Sequence, residues 1–214
     1  MRIVQTYQTF DGENLKQGFK TLFAFKQWIM ETYFTHTVLT DDYKIYTDKE
    51  GYNVLKELID DDHIEIVEFK RMLRDRIPYL GKFCTYEKQT KPFIHVDIDM
   101  KLYKLPEIAD IMSEGHSFVE MGKEANILGL RYNGFPERIW SGLLGFTDIE
   151  FKNEYVKRVF EKVAKLEEMK PFEISKRLCI SLEEDLLSIL AHEHKKSISY
   201  CNENDLLHLR DNLK

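Results

Sequence analysis

The sequence is poor in chain breakers. Proline accounts for 5 residues and glycine for 10 of 214, and neither gathers into a Ser/Gly-rich linker, a low-complexity tract or a repeat of solenoid period. That excludes a flexible joint between modules and a stacked-repeat architecture. Cysteine is as sparse: Cys84, Cys179 and Cys201 are widely spaced, and no C-x-x-C pair occurs. A scattered, odd-numbered set excludes a disulfide framework and reads as buried thiols in a reducing compartment. No run approaches the roughly 18 apolar residues of a membrane span. The opening Met1 to Tyr7 lacks the apolar core of a signal peptide, so a cytoplasmic location is expected. Positive charge is outweighed as well, with 31 Lys and Arg against 37 Asp and Glu and a net charge of −6. A broad basic face for nucleic acid is therefore not expected, although a local phosphate pocket remains open.

What is present is enough apolar residue, 43%, for one substantial core. Arg2 to Tyr7 alternates like a strand. A helical face follows on Leu15, Phe19, Leu22, Phe23, Phe25, Ile29 and Met30, with Asn14 as its cap. Tyr43 to Tyr46 is a short strand. Thr47 and Glu50 form a T-x-x-E capping box before a helix carrying Val54, Leu55, Leu58 and Ile59. His63 to Phe69 alternates again, a helix is expected from about 78 to 88, and Pro92 to Val96 is a short apolar strand. The order β-α-β-α-β-α-β points to an α/β fold, a mainly parallel central sheet with helices on both faces.

The second half is less regular. Met100 to Tyr103 reads as a strand and 107–140 as loops with short helices. Trp140 to Phe146 is a glycine-bearing strand, and Thr147 with Glu150 caps a long helix. Ser181 with Glu184 caps another, and Ser197 to Tyr200 is a last strand. The expected organisation is a single unit over 1–214, with a nucleotide-sugar-binding half at 1–105 and an acceptor-side half at 106–214.

The feature that carries chemistry is Asp97-Ile98-Asp99, where the apolar strand stops. Ligands of open α/β sheets bind at the carboxyl ends of strands. Mg²⁺ or Mn²⁺ takes hard oxygen ligands, commonly one or two carboxylates together with substrate phosphates. Acidic residues are abundant enough for such a pair to arise by chance, and Asp also favours turns; the placement after a buried strand is what singles it out.

Together, Tyr46-Thr47-Asp48, Gly81-Lys82 and Pro92-Phe93-Ile94-His95-Val96-Asp97-Ile98-Asp99 resemble the nucleotide-diphospho-sugar glycosyltransferases of the GT-A fold. They are most similar to a bacterial branch with a PFIHxDxD strand end. The first strand, the glycine-bearing Ser141 to Phe146 and the acidic Leu182 to Leu187 resemble that branch too. The resemblance implies a metal-dependent hexosyl transfer from a nucleotide diphosphate donor, of UDP type, to a saccharide or other hydroxyl acceptor. It implies that Asp97 lies near ribose and metal and that Asp99 is the main ligand of Mn²⁺ or Mg²⁺. Thr6, Tyr7, Thr47 and Asp48 would border the nucleotide, and Lys82 would face the diphosphate. Such enzymes often add a metal ligand near the C-terminus, for which His208 is the candidate.

Each of these residues has a plainer reading. Lys82 fits a solvated helix face, the Arg71, Arg74 and Arg76 run a solvated surface, and His95 a core position sharing a face with Asp97 and Asp99. Glu184 has a capping role with Ser181, which leaves Glu183 as the better candidate for a general base on the acceptor hydroxyl. Trp140, Phe10, Tyr132 and Phe135 suit a base or sugar ring, or the core. Gly142 and Gly145 mark a close backbone approach or a tight turn. His192 and His194 fall on different helix faces and form no zinc motif. A non-catalytic nucleotide-binding or assembly protein on the same scaffold is the alternative function, and a phosphohydrolase using Asp97 as nucleophile lacks its accompanying motifs.

Overall fold

The computed structural model describes residues 1–9, 19–69, 80–118, 137–168 and 181–208. Phe10, Asn14, Leu15, Arg71, Arg74, Arg76, Tyr132, Phe135 and Cys179 lie outside them. Five strands come first: β1 (Arg2–Tyr7), β2 (Tyr43–Thr47), β3 (Ile64–Ile66), β4 (Phe93–Val96) and β5 (Met100–Leu102). Then follow β6 (Ile111–Ser113), β7 (His116–Phe118), β8 (Glu137–Ile139), β9 (Leu143–Phe146), β10 (Ile198–Tyr200) and β11 (Leu206–His208). The main sheet has seven strands in the order β10-β6-β9-β4-β1-β2-β3. Every pairing in it is parallel except those of β9, which runs against β4 and β6.

This topology collects one set of strand ends on one edge. β1, β2, β4, β6 and β10 all finish there, and reversed β9 begins there, so Tyr7, Thr47, Asp97, Glu114, Cys201 and the Trp140-Ser141-Gly142 entry to β9 follow one another along it. Two smaller pairings lie outside the main sheet. β11 pairs antiparallel with β5, which puts His208 opposite Met100, and β7 pairs antiparallel with β8.

Helices α1 (Leu22–Leu39), α2 (Lys49–Leu55), α3 (Leu80–Lys88), α4 (Ile149–Glu168) and α5 (Leu186–Glu193) sandwich the sheet. One buried cluster joins Ile3, Tyr7, Ile45, Ile94 and Val96 to Phe25, Trp28 and Ile29 of α1 and Val54 and Leu55 of α2. The other joins Val4, Phe93, Leu144 and Phe146 to Phe83 and Tyr86 of α3, Tyr155 and Val159 of α4, and Leu187 of α5. Alternate residues of β1 and β4 thus serve opposite faces, the period of two expected of strands buried on both sides. No helix among the described residues is long and apolar enough to cross a membrane.

Several local expectations need correction. α1 is capped by Thr21, whose hydroxyl accepts from Ala24 N, and Phe23 is 76% exposed rather than core-facing. The caps of α2 and α4 fall one residue later than the capping boxes suggest. Asp48 accepts from Gly51 N and Asp148 from Phe151 N, while Thr47 and Thr147 turn their hydroxyls to Tyr7 O and Ala109 O on neighbouring segments. A carboxylate is the stronger acceptor for a helix's free amides. Ser181–Asp185 is a π-helical turn leading into α5, not a cap. The described part of 107–140 holds three short strands instead of short helices.

Candidate functional site

Past β4, Asp97 N bonds to Gly142 O of the segment entering β9, and the strand then ends as Met100 N bonds back to Asp97 O. The second bond closes a four-residue turn over Asp97-Ile98-Asp99-Met100, a conformation in which aspartate is favoured. The turn is held from the α1 face. The Trp28 indole donates to Ile98 O at 2.9 Å, the Gln5 amide donates to Asp97 O at 3.2 Å, and Tyr43 OH fixes Gln5 by donating to its Oε1 at 2.7 Å. Farther on, His36 Nε2 accepts from Leu102 N, and Lys101 pairs with Glu31 above the Trp28 ring. The neutral His36 imidazole this requires agrees with its burial, which together with Lys101 lowers its pKa to about 3.

On the opposite face, Asp97 meets Lys82 of α3 and Glu183 of the π-turn. Lys82 is not a solvated helix residue: its side chain is 6% exposed and contacts Asp97 Oδ1 at 3.1 Å and Glu183 Oε1. The ammonium also donates to Ser141 O at 3.2 Å, so it sits between two carboxylates and a backbone carbonyl. Burial lowers the Lys82 pKa, but the charges of Asp97 and Glu183 outweigh it and hold the pKa well above the usual lysine value. For Asp97 the dominant effect is also burial, opposed by Lys82 and reinforced by Glu183 and Asp99, and its carboxyl rises to about 7. One lysine thus stands against more than one carboxylate, and the edge carries surplus negative charge.

His95 shares the Asp97 face, with Nδ1 3.7 Å from Asp97 Oδ1. Its Nε2 meets Thr6 Oγ1 at 3.0 Å, which meets Thr85 Oγ1 at 2.8 Å. Burial first, and Lys82 second, push its pKa well below the usual value, so the ring is neutral. Glu184, in turn, is not a cap. Its Oε1 accepts from Ser141 Oγ, and burial reinforced by Glu183 raises its pKa to about 7 against the pull of Arg138. Arg138 itself is tied to Asp185 at 2.6 Å.

Of the residues singled out in the sequence, Thr6, Lys82, Asp97 and Glu183 therefore come together, with Asp99 on the adjoining turn. Tyr7, Thr47 and Asp48 lie at the neighbouring ends of β1 and β2, where they serve the scaffold. The Tyr7 ring packs on Phe25, Thr47 bonds to Tyr7 O, and the Asp48 carboxylate accepts from Gly51 N, Thr9 N and Thr9 Oγ1. His208 sits opposite Met100, next to Asp99, by the β11 register, and its side chain lies outside the described part. Among the described residues no group of three His, Cys, Asp or Glu side chains could hold a metal ion. Sequence reasoning did not find Thr85, Ser141 as a Lys82 partner, or Glu114, whose Oε1 accepts from Gly142 N at 2.9 Å. The glycine at 142 was the available signal, because a Cβ there would lie 2.6 Å from Glu114 Oε1 and 2.8 Å from Met100 Sδ.

Solved structures are similar to this chain. The galactosyltransferase LgtC in complex with donor and acceptor sugar analogues is 9% identical, with a TM-score of 0.50 over 94% of this chain and 73% of that one. Mouse xyloside xylosyltransferase 1 in its apo form is also 9% identical, with a TM-score of 0.46 over 94% of this chain and 84% of that one. At this identity the first likeness speaks for the fold, which is GT-A-like. No curated protein matches the sequence. Residues 1–114, which carry β1 to β6 and the aspartate turn, match one family along more than half of the chain, and the chain belongs to that family, the family of unknown function DUF6734.

Proposed function

We propose that the chain is a glycosyltransferase that moves a sugar from a nucleotide diphosphate donor, of UDP type, to an acceptor hydroxyl, with Mn²⁺ or Mg²⁺ held at Asp97 and Asp99. The observation that carries this reading is the Asp97-Lys82-Glu183 cluster beside the aspartate turn, at the strand-end edge of a GT-A-like sheet. Its oxygen donors and surplus negative charge fit a hard divalent cation that keeps substrate phosphates among its ligands. When bound, such a cation neutralises a diphosphate leaving group. His208, by its register, is the candidate further ligand.

The chain's own residues divide the remaining work. Lys82 orients Asp97, and by exchanging Ser141 O for a diphosphate oxygen it would also reach the donor. Glu183 is engaged by Lys82, whereas Glu184, with a pKa near 7, is matched to accept a proton from an acceptor hydroxyl. Residues 1–105 then supply the donor side and 106–214 the acceptor side.

Thermal unfolding with UDP, GDP or CDP and Mn²⁺ tests the proposal. At 100 times Kd a ligand stabilises by about 2.7 kcal/mol, roughly 5–10 °C for a chain of this size. Asp99→Asn should abolish the shift. No shift with any of the three nucleotides would count against the reading. A shift without release of nucleotide from any sugar donor would favour the non-catalytic nucleotide-binding or assembly protein.

A further inference from the structure

Trp140 stands apart from the other tryptophan. The sequence has 2; Trp28 is 6% exposed and Trp140 is 43% exposed. An exposed tryptophan is ordinarily free to move, yet this one is pinned. Its N–H donates to Gly115 O at 3.0 Å, and its carbonyl accepts from Ser113 Oγ at 2.7 Å. The indole Nε1 donates to Ser117 Oγ at 3.2 Å. The ring lies against Gly115 so closely that a Cβ there would come within 2.9 Å of it. The absent side chain at 115 is therefore what lets the indole lie down on the backbone.

The position is as specific as the support. Trp140 leads through Ser141 into Gly142, whose carbonyl binds Asp97 N and whose N–H binds Glu114. Ser141 in between donates to Glu184 and gives its carbonyl to Lys82. The indole therefore stands two residues from the contact with Asp97, on the β6 and β9 side of β4, with β1 and β2 on the other. Nearby, the His116 and Tyr200 rings meet at 4.7 Å, tilted by 50°.

We infer that the Trp140 indole is the platform on which the acceptor stacks, and that the acceptor is a saccharide. A pyranose has an apolar face of C–H groups that suits an aromatic plane and a rim of hydroxyls that donate to carboxylates. Trp140 supplies the plane, and Glu114 and Glu184 are the neighbouring carboxylates. The same carboxylates disfavour an anionic group stacked here, which sets the saccharide apart from a nucleotide base carrying its phosphates. This inference rests on the glycosyl-transfer reading for the word acceptor, though not for saccharide binding itself.

The test is acrylamide quenching of tryptophan fluorescence, taken as the difference between the wild type and Trp140→Phe, with lactose, cellobiose and maltose as probes. At least one should shield Trp140, and Trp140→Ala should raise the apparent Kd for that saccharide at least about tenfold, with Trp140→Phe intermediate. The same samples are titrated with UDP and Mn²⁺, which Trp140→Ala should leave unchanged within about twofold. Shielding by none of the three saccharides, or equal shielding by UDP alone, overturns the platform. Saccharide shielding without nucleotide binding would retain the platform and overturn the transferase reading. Nucleotide binding without saccharide shielding would do the reverse.

Discussion

Removing the ammonium at the centre of the carboxylate cluster should damage the protein in a pH-dependent way. Lys82→Met keeps the apolar stem and deletes the charge that lies between Asp97 and Glu183. Breaking a buried pair by removing one partner costs about 3–5 kcal/mol, because the other partner is left as an uncompensated charge. For a chain of 214 residues, each kcal/mol moves Tm by about 2–4 °C, so the expected loss at pH 8 is roughly 6–20 °C. The sign of the pH dependence follows from Asp97, whose carboxyl is raised from 3.8 to about 7. A raised carboxyl favours the folded state when protonated, so its benefit is full below about 4 and is lost as the pH climbs through 7. Without Lys82, which holds that value down, Asp97 stays protonated to higher pH still. The variant should therefore lose most stability at pH 8 and recover part of it by pH 5.5. Scanning calorimetry across that range reads both effects, and adding Glu183→Leu to the variant should restore much of the loss. A Tm within about 2 °C of the wild type at pH 8, or an equal loss at both pH values, would refute the reasoning.

Two further outcomes follow from the same site. Glu184 is raised from 4.5 to about 7, so it too favours the folded state below about 4.5 and ceases to do so as the pH rises through 7. Glu184→Gln should remove a pH-dependent decline on the order of 1–3 kcal/mol between those limits, read by urea unfolding at pH 5 and 8, and should abolish transfer while sparing nucleotide binding. Trp28→Phe deletes the donor to Ile98 O and should cost about 1–3 kcal/mol through the buried carbonyl it leaves unpaired. It should also weaken Mn²⁺-dependent nucleotide binding, because the turn carrying Asp99 loses its clamp.

The parts of this structure that were legible in the sequence are those set by neighbouring residues. β1, β2 and β4 alternate or run apolar for long enough to announce themselves, and the aspartates mark the end of β4 because a turn suits them. β6, β7 and β8 have three residues each, too few to show a period of two, and their segment reads from sequence as loops and short helices. The cap errors share one cause. In Thr47-Asp48 and in Thr147-Asp148 the threonine matches the capping pattern by spacing, but each hydroxyl has a partner on another segment, Tyr7 O or Ala109 O. Local spacing cannot reveal that competition, and the adjacent aspartate takes the cap.

The same limit governs the two glutamates, for which local spacing and three-dimensional neighbours favour different residues. Local spacing points to Glu183 for the chemistry because it assigns Glu184 to a cap. That premise fails once 181–185 winds as a π-turn, which sets Glu184 beside Ser141 and turns Glu183 inward to Lys82 from the other half of the chain. Glu183 is buried and holds the Lys82 ammonium, so it serves that pair rather than an acceptor hydroxyl. The Glu184 carboxyl, with a pKa near 7, partly exposed and bonded to the Ser141 hydroxyl, is well matched to proton transfer near neutral pH. If Glu184 holds that role, Glu184→Gln and Glu183→Gln should separate. The first should lower kcat at unchanged donor affinity, whereas the second should release Lys82 and disturb Asp97, weakening Mn²⁺-dependent nucleotide binding as well. Equal losses in both constants for both variants would mean that the π-turn positions the pair as one unit and that neither glutamate is the base.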